Sequence, residues 1–408
     1  MKILISSIGD PRYDEVKYRL EDKEYQSKFS GEAIYQAFNP DVAIVVGQYT
    51  LAHKSSTPTN YADLKENSEK YIREKLNLSS QWKVIVSPGV YGYSDGWSYV
   101  GEIYNFYAYT LYELYGMLLN KREDLEVFLD ITHGVNYIGY LTASAVQQIL
   151  DAYSTGFNVR LRLFNSDPHY KSESKMVSLS LNEIVNREVK PAFTYSTLEQ
   201  NVLRPARFLS KEMKEDIGKR ISKEIPGEVD DLYLINAINS GALLAAYELA
   251  KDFGEVIKKS VKLFEEYVHV EQKSVYQKVA FTSKFESLII ASILREISLG
   301  DFKGDVTVSE LWRKANQIYR YRDMQRTIIN NELYEIKQEV EKATSTVTQD
   351  GWEPLSNFIK SQEEPDKRTF LAHAGLPGSL CEVKVEDKEV KLRYNQKGKE
   401  RIRNYLRI

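Results

Sequence analysis

Two short stretches of this chain hold side chains whose types and spacing suit chemistry on a phosphate. The first is Asp130-Ile-Thr-His-Gly134, with Asn136 just beyond it, which gathers a carboxylate, a hydroxyl, an imidazole and an amide. The second is Arg368 and His373, five positions apart and preceded by Glu363 and Lys367. An imidazole can move a proton near neutral pH, and a guanidinium stabilises charge on a pentacoordinate phosphorus. A fixed cation beside a titratable imidazole is what cleavage of RNA by its own 2′-hydroxyl requires. On an ideal helix a five-residue step turns about 140°. The two side chains would then flank a groove, which a second copy across a dimer axis could complete. The plainer alternative is a surface salt bridge plus a partly buried histidine, and the residues alone leave both readings open.

The elements around these residues follow from hydrophobic periodicity. Val127, Phe128 and Leu129 read as a strand buried on both faces, as in a parallel sheet. Tyr137–Tyr153 then takes up a helical period. A strand, a polar turn with glycine and a helix make a natural anion site, because helix-start amides point outward with partial positive charge. Lys2–Ile5, Val42–Val46, Trp82–Val86 and Val159–Phe164 read as further strands. Their ends carry Ser6-Ser7-Ile8-Gly9-Asp10, Gly47-Gln48-Tyr49-Thr50, Ser87-Pro88-Gly89 and Asn165-Ser166-Asp167. Helical stretches such as Tyr61–Leu76 and Val100–Leu119 lie between them. Alternating strands and helices predict a Rossmann-like α/β domain with a parallel sheet. In such a sheet the polar strand ends gather along one edge.

From about Asp230 the pattern turns helical. Leu234–Leu249, Val279–Ile297, Leu311–Tyr319, Ile328–Ala343 and Ser361–Leu371 are predicted helices, with Pro365 suited to a first turn. Cys381–Val385 and Val390–Tyr394 alternate like a β-hairpin. The stretch from roughly Lys171 to Val229 is polar, holds Pro191, Pro205 and Pro226, and reads as a connector.

Composition sets the outer limits. At 408 residues the chain suggests two domains. No apolar run approaches the roughly 18 residues of a membrane span, and the single cysteine, Cys381, suits a cytoplasmic protein. A net charge of −3 argues against a chain-wide nucleic-acid footprint, so such binding must use local patches. The basic segment Lys388–Arg407 reads equally as an RNA guide or as a solvated face. No GxGxxG follows the first strand, and GxxxxGK[ST], HExxH, paired CxxC and GxSxG are missing. Ordinary dinucleotide, P-loop, zinc-hydrolase and serine-hydrolase sites therefore lack support.

Both halves resemble one family. The Asp-Ile-Thr-His-Gly segment after an apolar strand, the Ser-Ser-Ile-Gly-Asp start and the Gly-Gln-Tyr-Thr turn look like a CARF domain. The helical half with Glu363-x3-Lys367-Arg368-x4-His373 looks like a HEPN ribonuclease domain. In this order they resemble the CARF–HEPN accessory ribonucleases of type III CRISPR systems. The resemblance implies a CARF sensor over 1–175, a connector over 176–230 that is helix-turn-helix-like, and a mainly helical HEPN domain over 231–408 ending in the hairpin. It implies a homodimer or higher homo-oligomer, single-stranded RNA as substrate, and metal-independent cleavage in antiviral defence. There would be no cofactor beyond the allosteric activator, a cyclic oligoadenylate, with cyclic tetra-adenylate favoured. Arg368 and His373 match the catalytic motif, and Glu363 and Lys367 its accessory positions. Ser6, Ser7, Gly9, Gly47, Gln48, Thr132, His133, Gly134 and Asn136 sit where ligand contacts are expected. Asp130 is expected to fix the turn through backbone amides, since its charge would repel a polyanion. His53, His169 and His269 match nothing and read as structural or surface residues. Two other readings stay in view. One is a nucleotide-sensing transcription regulator using Arg204, Arg207, Lys211 and Lys214; the other is a phosphodiesterase that degrades its own ligand.

Overall fold

The computed structural model describes residues 1–134, 137–168, 177–192, 199–227, 229–300, 305–343, 351–360 and 362–407. They fall into two compact units. One comprises Met1–Lys190, Glu199–Gly227 and Gly254–Ile289, the other Pro191–Leu198, Glu228–Phe253 and Ile290–Ile408.

The first unit is built on an eight-stranded sheet. Its strands in chain order are β1 (Lys2–Ser7), β2 (Val16–Leu20), β3 (Lys23–Ser27), β4 (Val42–Gln48) and β5 (Trp82–Ser87), then β8 (Leu125–Asp130), β9 (Val159–Ser166) and β10 (Ser178–Glu188); the short β6 (Tyr91–Gly92) and β7 (Ser98–Val100) belong to a separate small sheet. The helices are α1 (Ser30–Phe38), α2 (Tyr61–Leu76), α3 (Tyr104–Leu118) and α4 (Tyr137–Tyr153). Strands β9-β8-β1-β4-β5 run parallel, and their central residues Ile3, Leu4, Ile5, Val45, Val46, Val127, Phe128 and Leu129 are buried. That burial on both faces is why these runs lack polar alternation. The helix bounds also have local causes. The Asn60 side chain accepts the Asp63 amide at the start of α2, and Asn77 closes it in the left-handed region with φ 54°.

The order in which strands are added to the sheet reverses at β1. After β1 the parallel core extends through β4 and β5, and the chain then returns to lay β8 on the other flank of β1. Crossovers leave a crevice at such a switch point, at the carboxyl ends of the strands. Ser6, Ser7 and Asp130 stand there, with Ser6 paired in register with Asp130. The parallel α/β expectation holds, with one addition at the edge. There β10 runs antiparallel to β9, and the β2–β3 hairpin pairs onto β10.

Several helix expectations are corrected. Leu234–Leu249 is two helices, Asp231–Ser240 and Leu243–Leu249, because Gly241 takes φ 87° and caps the first. Val279–Ile297 opens as a strand, Val279–Phe281, paired with Leu203–Pro205, and only Ser283–Ile293 is α-helical. Its β-branched and aromatic start suits a pleated, buried position better than a helix. The segment 176–230 does not stand apart either. It supplies β10, strand Leu203–Pro205 and helix Lys211–Glu224 to the first unit, where Arg204 is ion-paired with Glu102 and the Lys214 ammonium donates to the Arg207 carbonyl. Residues 254–289 also belong to the first unit, with hairpin Val268–Glu271/Ser274–Gln277 extending the β6–β7 sheet.

The second unit is mainly helical, with a small sheet formed by Val306–Thr307, Glu353–Pro354 and the hairpin Cys381–Glu386/Glu389–Tyr394. Its terminal helix, Gln396–Leu406, is tied back by Arg403, which donates to both carboxylate oxygens of Asp230 at 2.8 Å. Lys251 adds a contact at 2.7 Å. Of the basic C-terminal segment, Lys391, Arg393, Lys397, Lys399, Arg401 and Arg403 are all ion-paired. No helix among the described residues is long and apolar enough to cross a membrane. Hydrogen bonds from Arg403 hold the Asp230 carboxyl down at about 2. Its stabilisation is therefore present above the ordinary carboxylate value and lost as the pH falls through about 2. Asp230→Ala is expected to remove roughly 1.5–3 kcal/mol at neutral pH, measured by urea denaturation.

Candidate functional site

The strand-end residues of the first unit form one hydrogen-bonded network. Asp130, fully buried, accepts the Ser6 and Ser30 hydroxyls at 2.6 Å each on Oδ2, and the Thr132 amide at 3.0 Å on Oδ1. This is the turn-fixing role expected of it. Ser30 reaches Asp130 because α1 starts hard against β1. A Cβ on the next residue, Gly31, would lie 2.7 Å from Ser6 Oγ. Ser7 donates to the His133 carbonyl at 3.0 Å. The Thr132 hydroxyl accepts the Ser166 amide at 3.0 Å and so ties the turn to β9.

The His133 ring is held at Nε2 and across one face. Its Nε2 accepts the Ser30 amide at 3.3 Å and lies 3.0 Å from the Tyr18 hydroxyl, while Tyr13 stacks on its face with centroids 4.1 Å apart. A nitrogen that accepts an amide proton carries none itself, so the neutral ring is protonated on Nδ1. Burial pulls the His133 pKa below its ordinary value, against the opposing influence of Asp130.

Two clefts open at this edge of the sheet and share Arg12. One, of about 600 Å³, is lined by Gly9, Asp10, Gln48, Thr50, Lys54 and Tyr93 among others. The other, of about 550 Å³, is lined by Tyr13, Tyr18, Lys28, Thr132, His133 and Ser166 among others. Gly9, Gln48, Thr132 and His133 therefore reach a cleft, whereas Ser6, Ser7 and Gly47 are buried beneath it. Gln48 accepts from the Thr50 and Tyr137 hydroxyls. Gly134 is exposed at the turn with φ 154°. Asn136 and His169 lie outside the described residues. His53 is a core residue, its Nδ1 3.0 Å from the Tyr99 hydroxyl and its ring stacked on Trp97. His269 sits in strand Val268–Glu271. Sequence reasoning missed Arg12, Tyr13, Tyr18, Lys28, Ser30 and Lys54, which no spacing pattern connects to the motif. Tertiary packing alone brings them to it.

In the second unit, Arg368 and His373 sit on one six-residue helix, Lys367–Ala372, with His373 as its C-cap. This is shorter than the expected Ser361–Leu371. Proline disfavours helical geometry in the residue before it, and the buried Pro365 carbonyl is bound by the Tyr405 hydroxyl at 2.9 Å. Asp366 then caps the helix by accepting the Thr369 amide at 2.7 Å, which together with the nearby Arg368 charge lowers its pKa. Phe370 stacks on Tyr405 with centroids 4.7 Å apart and anchors the helix from below. Arg368 is exposed. The His373 side chain is 48% exposed, and its Nδ1 lies 3.0 Å from Glu332 Oε2 on helix Asp323–Ala343. A cavity of about 300 Å³ lined by Lys360, Gln362, Thr369 and His373 adjoins the ring. Glu363 and Lys367 engage the C-terminal segment instead. The Glu363 carbonyl accepts from Lys397, and the Lys367 ammonium donates to the Arg407 carbonyl at 2.6 Å.

A Rossmann-like sheet with clefts at its carboxyl edge, joined in one chain to a helical unit that presents Arg-x4-His, is the pairing expected of a CARF–HEPN protein. Comparison with known proteins gives the same assignment. Residues 3–168 match the family described as CRISPR system endoribonuclease Csx1, CARF domain, and residues 322–396 match its HEPN domain. The chain is 29% identical over 444 residues to the CRISPR system endoribonuclease Csx1 of Methanocaldococcus jannaschii, covering 99% of this chain and 92% of that protein. The chain belongs to the CARF–HEPN family of CRISPR endoribonucleases.

The lowered pKa of His133 has a measurable consequence. The unfolded chain takes up this proton first, so the contribution of His133 to stability is complete above its ordinary value of 6.5 and declines as the pH falls below it. Urea midpoints at pH 7.5 and 5.5 should show a smaller acid-induced loss in His133→Asn than in wild type.

Proposed function

We propose that this chain is a single-strand-specific endoribonuclease switched on by a cyclic oligoadenylate. The activator, cyclic tetra-adenylate by preference, would bind at the carboxyl edge of the CARF sheet in a homodimer. The reading extends to a role in antiviral defence in a type III CRISPR system. The observation that carries it is the placement of Arg368 and His373 on one exposed helix, with the imidazole at the mouth of a cavity.

The proposed chemistry needs no group beyond the chain and its RNA. An imidazole nitrogen of His373 takes the proton of a ribose 2′-hydroxyl, and O2′ bonds to the adjacent phosphorus. The P–O5′ bond breaks, O5′ receives a proton, and the products are a 2′,3′-cyclic phosphate and a 5′-hydroxyl. Arg368 stabilises the charge that builds on the phosphoryl oxygens. A second helix from the partner protomer would supply the remaining donor and stabilising charge. Gly9, Gln48, Thr132 and His133 are assigned to the activator from their places in the two clefts, and Gly134 from the turn that carries Thr132 and His133; Asn136 is assigned from the sequence motif alone. Ser6, Ser7 and Gly47 support that surface from below. Ligand and active conformation must stabilise one another reciprocally, as any allosteric linkage requires.

Arg368→Ala and His373→Ala are each expected to lower activator-dependent cleavage of a single-stranded RNA by at least about 100-fold. Both should bind cyclic tetra-adenylate as wild type does in isothermal titration. Undiminished cleavage in either variant would reject the catalytic assignment, and wild-type cleavage indifferent to cyclic tetra-adenylate would reject the activator.

A further inference from the structure

We propose that Glu332 is the positioning residue of the ribonuclease site, fixing the tautomer and orientation of His373 so that Nε2 meets the RNA. The inference rests on the proposed catalytic role of His373.

Glu332 lies outside the Arg-x4-His motif, 41 positions before the histidine. It stands on helix Asp323–Ala343, which supplies none of the other motif residues. Its Oε2 is 3.0 Å from His373 Nδ1. An ionised carboxylate only accepts hydrogen bonds, so the proton between the two atoms belongs to Nδ1. A neutral ring with its proton on Nδ1 carries its lone pair on Nε2, the form able to take a proton from a hydroxyl. Without a partner at Nδ1, free imidazole favours the opposite tautomer, in which Nε2 is protonated and cannot act as a base.

Exposure and geometry favour a working contact over an incidental surface pair. The Glu332 side chain is only 19% exposed, whereas that of His373 is 48% exposed. The rigid partner is therefore the carboxylate and the accessible one is the imidazole. His373 is among the residues lining the 300 Å³ cavity, which Glu332 does not line. The ring thus has one edge held by the long helix and another available to a ligand. A base oriented by a third group through its other nitrogen is the general logic of activated histidines.

The test uses the full-length protein labelled with nitrogen-15 histidine, with the His373 signals identified from their loss in His373→Ala. In wild type near pH 8, long-range proton–nitrogen spectra should show His373 protonated on Nδ1; in Glu332→Ala the Nε2-protonated tautomer should dominate. Cleavage of a single-stranded RNA with cyclic tetra-adenylate should fall roughly 10- to 100-fold in kcat in Glu332→Ala, with KM little changed. Glu332→Asp should recover part of both effects, and thermal midpoints would exclude unfolding. An unchanged His373 tautomer in Glu332→Ala overturns the inference, whatever the activity. If His373→Ala retains full cleavage, the proposed catalytic role fails separately.

Discussion

The buried carboxylate of Asp130 is the constraint on which the carboxyl edge of the CARF sheet depends. A charge removed from water is tolerated only when hydrogen bonds replace its hydration. Here the donors come from three places: Ser6 on β1, Ser30 at the head of α1, and the Thr132 amide in the turn after β8. Satisfying one carboxylate therefore fixes two central strands, a helix start and the motif turn relative to each other. His133 is then suspended from the same assembly, through the Ser30 amide, the Tyr18 hydroxyl and the Tyr13 face. The result is a hydrogen-bonded floor beneath two clefts whose linings include the charged groups Arg12, Lys28 and Lys54.

The proposed ribonuclease site follows a different physical plan. Its helix has only six residues, too short to stand on backbone hydrogen bonding alone. Capping by Asp366, the Phe370–Tyr405 stack and the Tyr405–Pro365 hydrogen bond hold it from one side. Beyond His373 the chain turns sharply through Ala374 and Gly375, with φ 50° and 77°. A Cβ at Gly375 would lie 2.8 Å from that of Ala242, so only glycine passes there. Arg368 and His373 are exposed on a base whose packing residues are all different ones. That separation suits a site that must meet a flexible, charged polymer while keeping its own geometry.

Periodicity was a good guide where a single local rule governed. Strands β1, β4 and β8 are apolar on both faces, and α2 begins and ends at asparagine caps, so their bounds were legible. Local rules failed where tertiary partners intervened. Val279–Phe281 is apolar enough for a helix, and pairing with Leu203–Pro205 makes it a strand. The β2–β3 hairpin and β10 lie at one side of the sheet and are polar on one face; the alternation in Val16–Leu20 spans only five residues and was passed over. The Gly241 break and the late start after Pro365 did have sequence signals, in residues whose backbone preferences outweigh a continuing helical period.

By itself the sequence determined the class of each half and the identity of the chemical groups. Apolar runs ending in Ser-Ser-Ile-Gly-Asp and Asp-Ile-Thr-His-Gly specify a sheet with a polar carboxyl edge, and Arg-x4-His supplies a guanidinium and an imidazole five positions apart. Only the tertiary structure decided which of those groups reach a cleft. Ser6, Ser7 and Gly47 are buried, whereas Gly9, Gln48, Thr132 and His133 line clefts. Likewise, only the structure shows that Glu332 holds His373. Both decisions depend on contacts between residues far apart in the chain, and no local pattern records those distances.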